Sequence, residues 1–368
     1  MSVGPIAVVV GTRPELIKLA TIVRALRSVE LIHTGQHYDV ELSDGLLATL
    51  ELPEPATRLG VGGDHRGVQV GEATAALTRR FLERRPAAVI VQGDTNATLA
   101  GALAANAVEV PLVHVEAGLR SHDRAMPEEH NRILVDHLAD LCCAPTATNV
   151  ANLRAEAIAD ERIALTGNPI VDLLAEVRPS AEAAEEVARD HGLVPGTFVL
   201  ATLHRPENVD RPEPLARILR ALADLDRPVL LPLHPRTRTR VAELGLEDLL
   251  DRLHVVAPTG HGDFLALTDA CAYVVTDSGG IQEEASVLAR PVLVVRRSTE
   301  RPEVLGSVAW LCSPDGLTDA LGALEAQLET VRARIARLPT PYGDGHATRK
   351  IVEALARLPG LEGAGLGT

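Results

Sequence analysis

The chain has 368 residues, enough for two domains that can each bury a full core. A net charge of −14 leaves no basic face to neutralise nucleic-acid phosphates, so nucleic acid is excluded as a partner and the arginines act locally. Four cysteines, Cys142 and Cys143 adjacent and Cys271 and Cys312 isolated, give neither zinc spacing nor a disulfide framework; with no leader pattern and no apolar run of membrane length, the expectation is a soluble cytoplasmic protein.

In chain order, residues 6–10 read as a buried parallel strand, and Gly11-Thr12-Arg13-Pro14-Glu15 turns it into an amphipathic helix over 16–26. Pro14 suits the first helical turn, and Arg13 is placed to offer a planar fork to a phosphate. Lys18 is one of only two lysines, with Lys350, in a chain whose bases are otherwise arginine, which suggests a need for a compact ammonium. A strand over 88–92 ends at Asp94, which is either a functional carboxylate or the cap of a helix over 97–105. A strand over 112–115 ends at Glu116, followed by Ala-Gly and therefore with less reason to be a cap. His33, His37 and His114 read as structural. Residues 180–190 form a surface helix whose charges face solvent. Strands over 198–202, 229–233, 253–256, 273–276 and 292–295 follow, with His204 and His234 at or just past two of their ends.

Short apolar runs alternating with helical patterns indicate βαβ units, and their two sets imply two doubly wound, Rossmann-like α/β domains facing each other across a cleft. In such sheets ligands bind beyond the carboxyl ends of the strands, where these polar residues lie. The clearest ligand signal is Thr276-Asp277-Ser278-Gly279-Gly280-Ile281-Gln282-Glu283-Glu284-Ala285. A strand that ends in Ser-Gly-Gly and opens a helix presents backbone N–H groups and the positive helix end to an anion. Glu284, about a turn and a half into that helix, can accept hydrogen bonds from two ribose hydroxyls, so the stretch reads as a nucleotide grip. No Gly-x-Gly-x-x-Gly follows a strand and no Asp/Glu/His spacing suits zinc; neither nicotinamide nor a metal is expected.

These blocks together resemble one family. Residues 11–18, Thr34-Gly35-Gln36-His37, Gln92-Gly93-Asp94-Thr95, His114-Val115-Glu116-Ala117-Gly118-Leu119-Arg120, Pro127-Glu128-Glu129-His130-Asn131-Arg132, 144–146, Gly167-Asn168-Pro169, His204-Arg205-Pro206-Glu207-Asn208, His234-Pro235-Arg236, 277–285 and Thr299-Glu300-Arg301-Pro302-Glu303 are similar, in this order, to the non-hydrolysing UDP-N-acetylglucosamine 2-epimerases. The resemblance implies a GT-B-like fold, with an N-terminal domain over 1–168 completed by a returning C-terminal helix over 346–358. It implies a UDP-binding domain over 169–345, a homodimer and no cofactor; the Gly-rich end over 359–368 reads by its composition as a flexible tail. It also implies reversible epimerisation at C2 of UDP-N-acetylglucosamine. Asp94, Glu116, Glu128, His204 and Lys18 would be catalytic. Arg13, Arg205, His234, Ser278, Gly279, Gly280, Glu284 and Arg301 would bind substrate, and Gln36 with Arg205 would line an activator site. Met126 stands where an aromatic is common, Pro206 where a second arginine is common, and residues 304–307 depart from the family's continuation, which leaves room for a modified hexosamine. The rival readings are a GT-B glycosyltransferase, a hydrolysing epimerase that releases N-acetylmannosamine, and a UDP-sugar sensor without turnover.

Overall fold

The computed structural model describes residues 4–35, 40–63 and 65–361, without the side chains of 40–44. The chain forms two compact units, Met1–Ala175 with Tyr342–Thr368, and Glu176–Pro341.

The first unit is built on a parallel sheet of seven strands: β1 (Ile6–Val10), β2 (Val29–His33), β3 (Thr57–Arg58), β4 (Ala88–Gln92), β5 (Leu112–Val115), β6 (Leu141–Ala144) and β7 (Ile163–Leu165). Their order is β3-β2-β1-β4-β5-β6-β7. All five residues of β1 and of β4 are buried, as a strand covered by helices on both faces must be. β1, β4 and β5 fall where the apolar runs place them. β2 escapes that reading because polar side chains interrupt it, and β6, as long as β5, was not read. Glu30 of β2 is buried and is met by Arg80 through Nε at 2.8 Å and Nη2 at 2.6 Å.

The first helix, Arg13–Ala25, starts at Arg13 with Pro14 in its first turn. The helix Asn96–Ala107 is capped by Thr95, whose hydroxyl accepts the N–H of Thr98 at 3.1 Å, so Asp94 is not the cap. The C-terminal helix Ala347–Leu355 packs against the first helix, where Thr348 Oγ1 donates to Thr21 Oγ1 at 2.6 Å. Asp172 accepts the N–H groups of Ala347 and Thr348 at 3.0 and 2.9 Å, supplying the cap that His346 does not.

The second unit has a parallel sheet of six strands: β8 (Val199–Thr202), β9 (Val229–Pro232), β10 (His254–Val256), β11 (Tyr273–Thr276), β12 (Val292–Val295) and β13 (Ala309–Cys312). Its order is β10-β9-β8-β11-β12-β13. The helix Ala181–Asp190 is capped by Ser180 and buries only Ala184 and Ala188, leaving its charged side to solvent. All four cysteines are free, and burial pushes the Cys143 and Cys271 thiols up to about 12. No helix among the described residues is long and apolar enough to cross a membrane.

Both sheets reverse their strand order once, between β1 and β4 in the first unit and between β8 and β11 in the second. Loops diverge at such switch points and leave a crevice beyond the carboxyl ends of the strands. Arg13, Asp94, His204 and Ser278 lie just past the strands that flank these two places.

Candidate active site

In the first unit the turn after β1 is held by Glu15. Its Oε2 accepts Gly11 N–H at 2.9 Å and Thr12 Oγ1 at 2.8 Å, and its Oε1 accepts Thr95 Oγ1 at 2.9 Å and Thr98 Oγ1 at 3.1 Å. Burial pushes the Glu15 carboxyl above its ordinary value in spite of these donors. One side chain thus ties the turn that carries Arg13 to the turn after β4 that carries Asp94. Arg13 is half-buried at the start of the first helix.

Five residues on from Arg13, Lys18 points its ammonium at Glu116, with Nζ 2.6 Å from Oε1, and both residues are about 95% buried (5% and 4% exposed). Gln92 donates to the other oxygen, Oε2. Glu116 itself has φ +71°, a left-handed conformation that costs a side-chain-bearing residue of order 1–3 kcal/mol unless its surroundings enforce it. Here they do: the N–H groups of Glu116 and Ala117 both donate to Cys143 O at 3.1 Å, and the side chain is fixed by Lys18 and Gln92. Backbone strain concentrated on a buried, ion-paired carboxylate beyond the end of β5 is the strongest local sign of function in this unit.

Asp94 is half-buried, and Arg132 grips one of its oxygens through Nε at 2.9 Å and Nη2 at 2.5 Å. The same guanidinium meets Glu129 through Nη1 at 2.5 Å. Glu129 also takes the N–H groups of Ser121 and His122 at 3.0 and 2.8 Å. Burial pushes Glu129 up, but Ser121, Arg132 and His122 outweigh it and hold the carboxyl below the ordinary range. Glu129 therefore organises the loop before its helix, whereas its neighbour Glu128 is half-buried and has no hydrogen bond or ion pair among the described residues. His114 bridges Asp136 Oδ1 at 2.6 Å and Gly93 O at 2.8 Å, a structural role that steadies the turn before Asp94.

In the second unit Asp277 is fully buried at the end of β11. Its carboxylate accepts the backbone N–H of His204 (3.2 Å) and of Arg205 (3.0 Å) and Asn208 Nδ2 (3.0 Å), and lies 2.9 Å from His204 Nδ1. Burial pushes this carboxyl up, and His204, Asn208 and Arg205 outweigh it and hold it below the ordinary range. The carboxylate fixes which ring nitrogen of His204 carries hydrogen, so Nε2 is the nitrogen presented outward from a side chain that is 46% exposed. Arg205 donates Nε to Asp277 O at 3.1 Å.

Ser278 is the N-cap of the helix Gly279–Val287, but its side chain makes no capping bond, so the helix end keeps its donors for other use. The two glycines differ. A Cβ on Gly279 would meet Glu300 Oε1 at 2.6 Å and Arg301 Nη1 at 2.9 Å, whereas a Cβ on Gly280 meets nothing within 4 Å. Packing explains the first glycine and not the second. Arg301 is buried beneath this turn, with Nε 2.7 Å from Glu283 and Nη1 on Glu300. Arg296 meets the other Glu300 oxygen at 2.9 Å. Glu284 is buried beside His261. His234 follows β9, the neighbour of β8, and its Nδ1 accepts Arg236 N–H at 3.2 Å to cap the helix Pro235–Glu243. Gln36 lies outside the described residues.

Beyond the residues expected from sequence, the structure brings Glu15, Gln92, Arg132, Asp277 and His261 to these places. Asp277 was signalled by its position between β11 and Ser278. Glu15 binds Thr12 and Gly11 in its own turn, but its bonds to Thr95 and Thr98, like those of Gln92, Arg132 and His261, cross long stretches of chain that show no local sign of the partner.

Residues 22–356 match the family model described as UDP-N-acetylglucosamine 2-epimerase. The chain belongs to the UDP-N-acetylglucosamine 2-epimerase family. The family member named UDP-N-acetylglucosamine 2-epimerase from Methanococcus maripaludis is 37% identical over 358 residues, 94% of this chain and 97% of the relative. A Pseudomonas aeruginosa member, UDP-2,3-diacetamido-2,3-dideoxy-D-glucuronate 2-epimerase, is 35% identical over 96% of this chain and 99% of its own. The Methanocaldococcus jannaschii UDP-GlcNAc 2-epimerase, solved in complex with UDP-GlcNAc and UDP, has a TM-score of 0.86 at 37% identity, covering 97% of this chain and 99% of that one. The fold class is that of the family: α/β, with two Rossmann-like domains of GT-B-like type.

Proposed function

We propose that this epimerase-family chain interconverts UDP-N-acetylglucosamine and UDP-N-acetylmannosamine through elimination of UDP. The C2 hydrogen of the sugar is not adjacent to a carbonyl, and simple deprotonation at neutral pH has too high a barrier. As the anomeric C–O bond breaks, positive charge at C1 acidifies C2–H. One carboxylate then takes that proton while the C1–O electron pair leaves with UDP, giving a glycal. Protonation of C2 from the opposite face and return of UDP to C1 complete the epimerisation with no redox cofactor. Acid–base groups on both faces are each worth about 10²–10⁴ in rate.

The observation that carries this reading is the strained, buried Glu116 paired with Lys18 beyond the carboxyl end of β5, on a chain of this family. Glu116 and Asp94 supply acid–base groups, with Glu128 on the helix beside them, and His204 acts through Nε2. Arg13, Lys18, Arg205 and the open helix end at Ser278-Gly279-Gly280 stabilise the departing diphosphate. Glu284 takes the ribose, His234 flanks the nucleotide, and Arg301 supports the grip from beneath. The reading includes a cytoplasmic homodimer. A modified UDP-hexosamine is the second reading, favoured by the Pseudomonas aeruginosa relative.

The test is proton NMR of the purified protein with UDP-N-acetylglucosamine and no acceptor. New anomeric signals of UDP-N-acetylmannosamine without free sugar support the proposal. Release of free N-acetylmannosamine replaces it with the hydrolysing reaction, and an unchanged spectrum moves the search to UDP-2,3-diacetamido sugars.

A further inference from the structure

The scheme above gives Glu284 the ribose and leaves its buried partner, His261, without a role. The helix His261–Ala270 opens with an imidazole whose Nε2 lies 3.1 Å from Oε1 of Glu284. The two side chains are only 7% and 9% exposed. No other described side chain donates to Glu284, and its second oxygen, Oε2, has no partner among the described residues. Glu284 stands on the helix that begins at Gly279, so the oxygen left over belongs to the same helix as the open end beyond Ser278.

A glutamate has three side-chain torsions, and Oε2, with no protein partner among the described residues, is left to accept from a hydrogen-bonding ligand. If the side chain also had to be ordered on binding, affinity would fall further. An imidazole at the first position of a packed helix is a fixed donor that selects one rotamer in advance. We propose that His261 is a positioning residue: by donating Nε2–H to Oε1 it fixes the Glu284 carboxylate so that Oε2 accepts the hydroxyls of the nucleotide ribose. This rests on the nucleotide-binding reading of the same helix.

The experiment is calorimetric titration of the full chain with UDP and with 2′-deoxy-UDP, on wild type, His261→Phe and His261→Gln, with a thermal melt of each. Wild type binds UDP more tightly than 2′-deoxy-UDP. In His261→Phe, UDP affinity falls roughly three- to tenfold and most of the preference for the ribose hydroxyl disappears. Gln places an amide near Nε2, so His261→Gln retains most of the preference. In turnover, the His261→Phe loss appears in KM and not in kcat. A His261→Phe protein that keeps the wild-type ribose preference overturns the proposal, whether or not its melting temperature has dropped. Wild type that binds no UDP overturns the nucleotide reading, and this proposal falls with it.

Discussion

Beyond the ends of β4 and β5, carboxylates are gripped by cations: Glu116 by Lys18 and Asp94 by Arg132. At the end of β11 the arrangement is opposite, a helix end opened by short residues, with its charged side chains, Arg301, Glu300, Glu283 and Arg296, packed beneath. The acid–base chemistry proposed above needs side chains held in one geometry, and the first region fixes its carboxylates with ion pairs and a strained backbone. Holding the diphosphate, as proposed, needs backbone donors and room, and the second region offers both by leaving side chains out. His204 belongs by position to the second region and by construction to the first, since Asp277 holds it as Lys18 holds Glu116.

The sharpest way to break this comparison is to neutralise the carboxylates. Glu116→Gln and Asp94→Asn should each lower turnover by roughly 10²–10⁴ while UDP still binds, measured by initial rates and by titration. A parallel loss of UDP affinity would mean that these groups grip the substrate. Lys18→Met should destabilise the fold by about 3–5 kcal/mol, because it strands a buried carboxylate. The double variant Lys18→Met/Glu116→Gln should recover part of that loss in a denaturant melt. If His204 works as proposed, Asp277→Asn should lower kcat by roughly 10²–10⁴, the range for an acid–base group put out of position, and change the pH profile of kcat more than it changes KM.

Smaller effects separate the two glycines. Gly279→Ala drives a methyl into Glu300 and Arg301 and should cost about 1–3 kcal/mol in stability. Gly280→Ala should melt like wild type yet bind UDP more weakly; equal affinity would remove Gly280 from the grip. The smallest effect is in acid. Asp277, Asp136 and Glu129 have depressed folded values, so the stability they contribute is present above the ordinary carboxylate range and lost as pH falls through those depressed values. Glu15, raised by burial, runs the other way, its share lost as pH rises through its raised value. Asp277→Asn should therefore flatten the acid limb of a Tm-against-pH curve.

These contrasts also show what could be read in the sequence. β1, β4, β5 and β11 announce themselves as apolar runs, and a polar residue at the carboxyl end of a parallel strand is legible wherever the strand is. Thus Asp94, Glu116, His204 and Ser278 could be found. What holds them could not, because Arg132 reaches Asp94 from 38 positions away and Lys18 reaches Glu116 from 98. The left-handed backbone of Glu116 has no sequence signature, since that conformation is usually signalled by glycine or asparagine. The capping reading of Asp94 fails for a local reason: Thr95, one position later, takes the helix N–H. Strand β2 was missed because Glu30 and His33 interrupt its apolar run and β3 because it has two residues, whereas β6, β7 and β13 are no shorter than strands that were read, and length does not explain their omission.

The most direct test of the central claim is the fate of the C2 hydrogen. UDP-N-acetylglucosamine is incubated with the protein in heavy water, stopped before equilibrium, and both epimers are analysed by mass spectrometry. Deuterium at C2 of the UDP-N-acetylmannosamine formed, lost in the Glu116→Gln protein, is the predicted result. Epimerised product that retains its original C2 hydrogen would contradict the account, because no carboxylate would then have removed it.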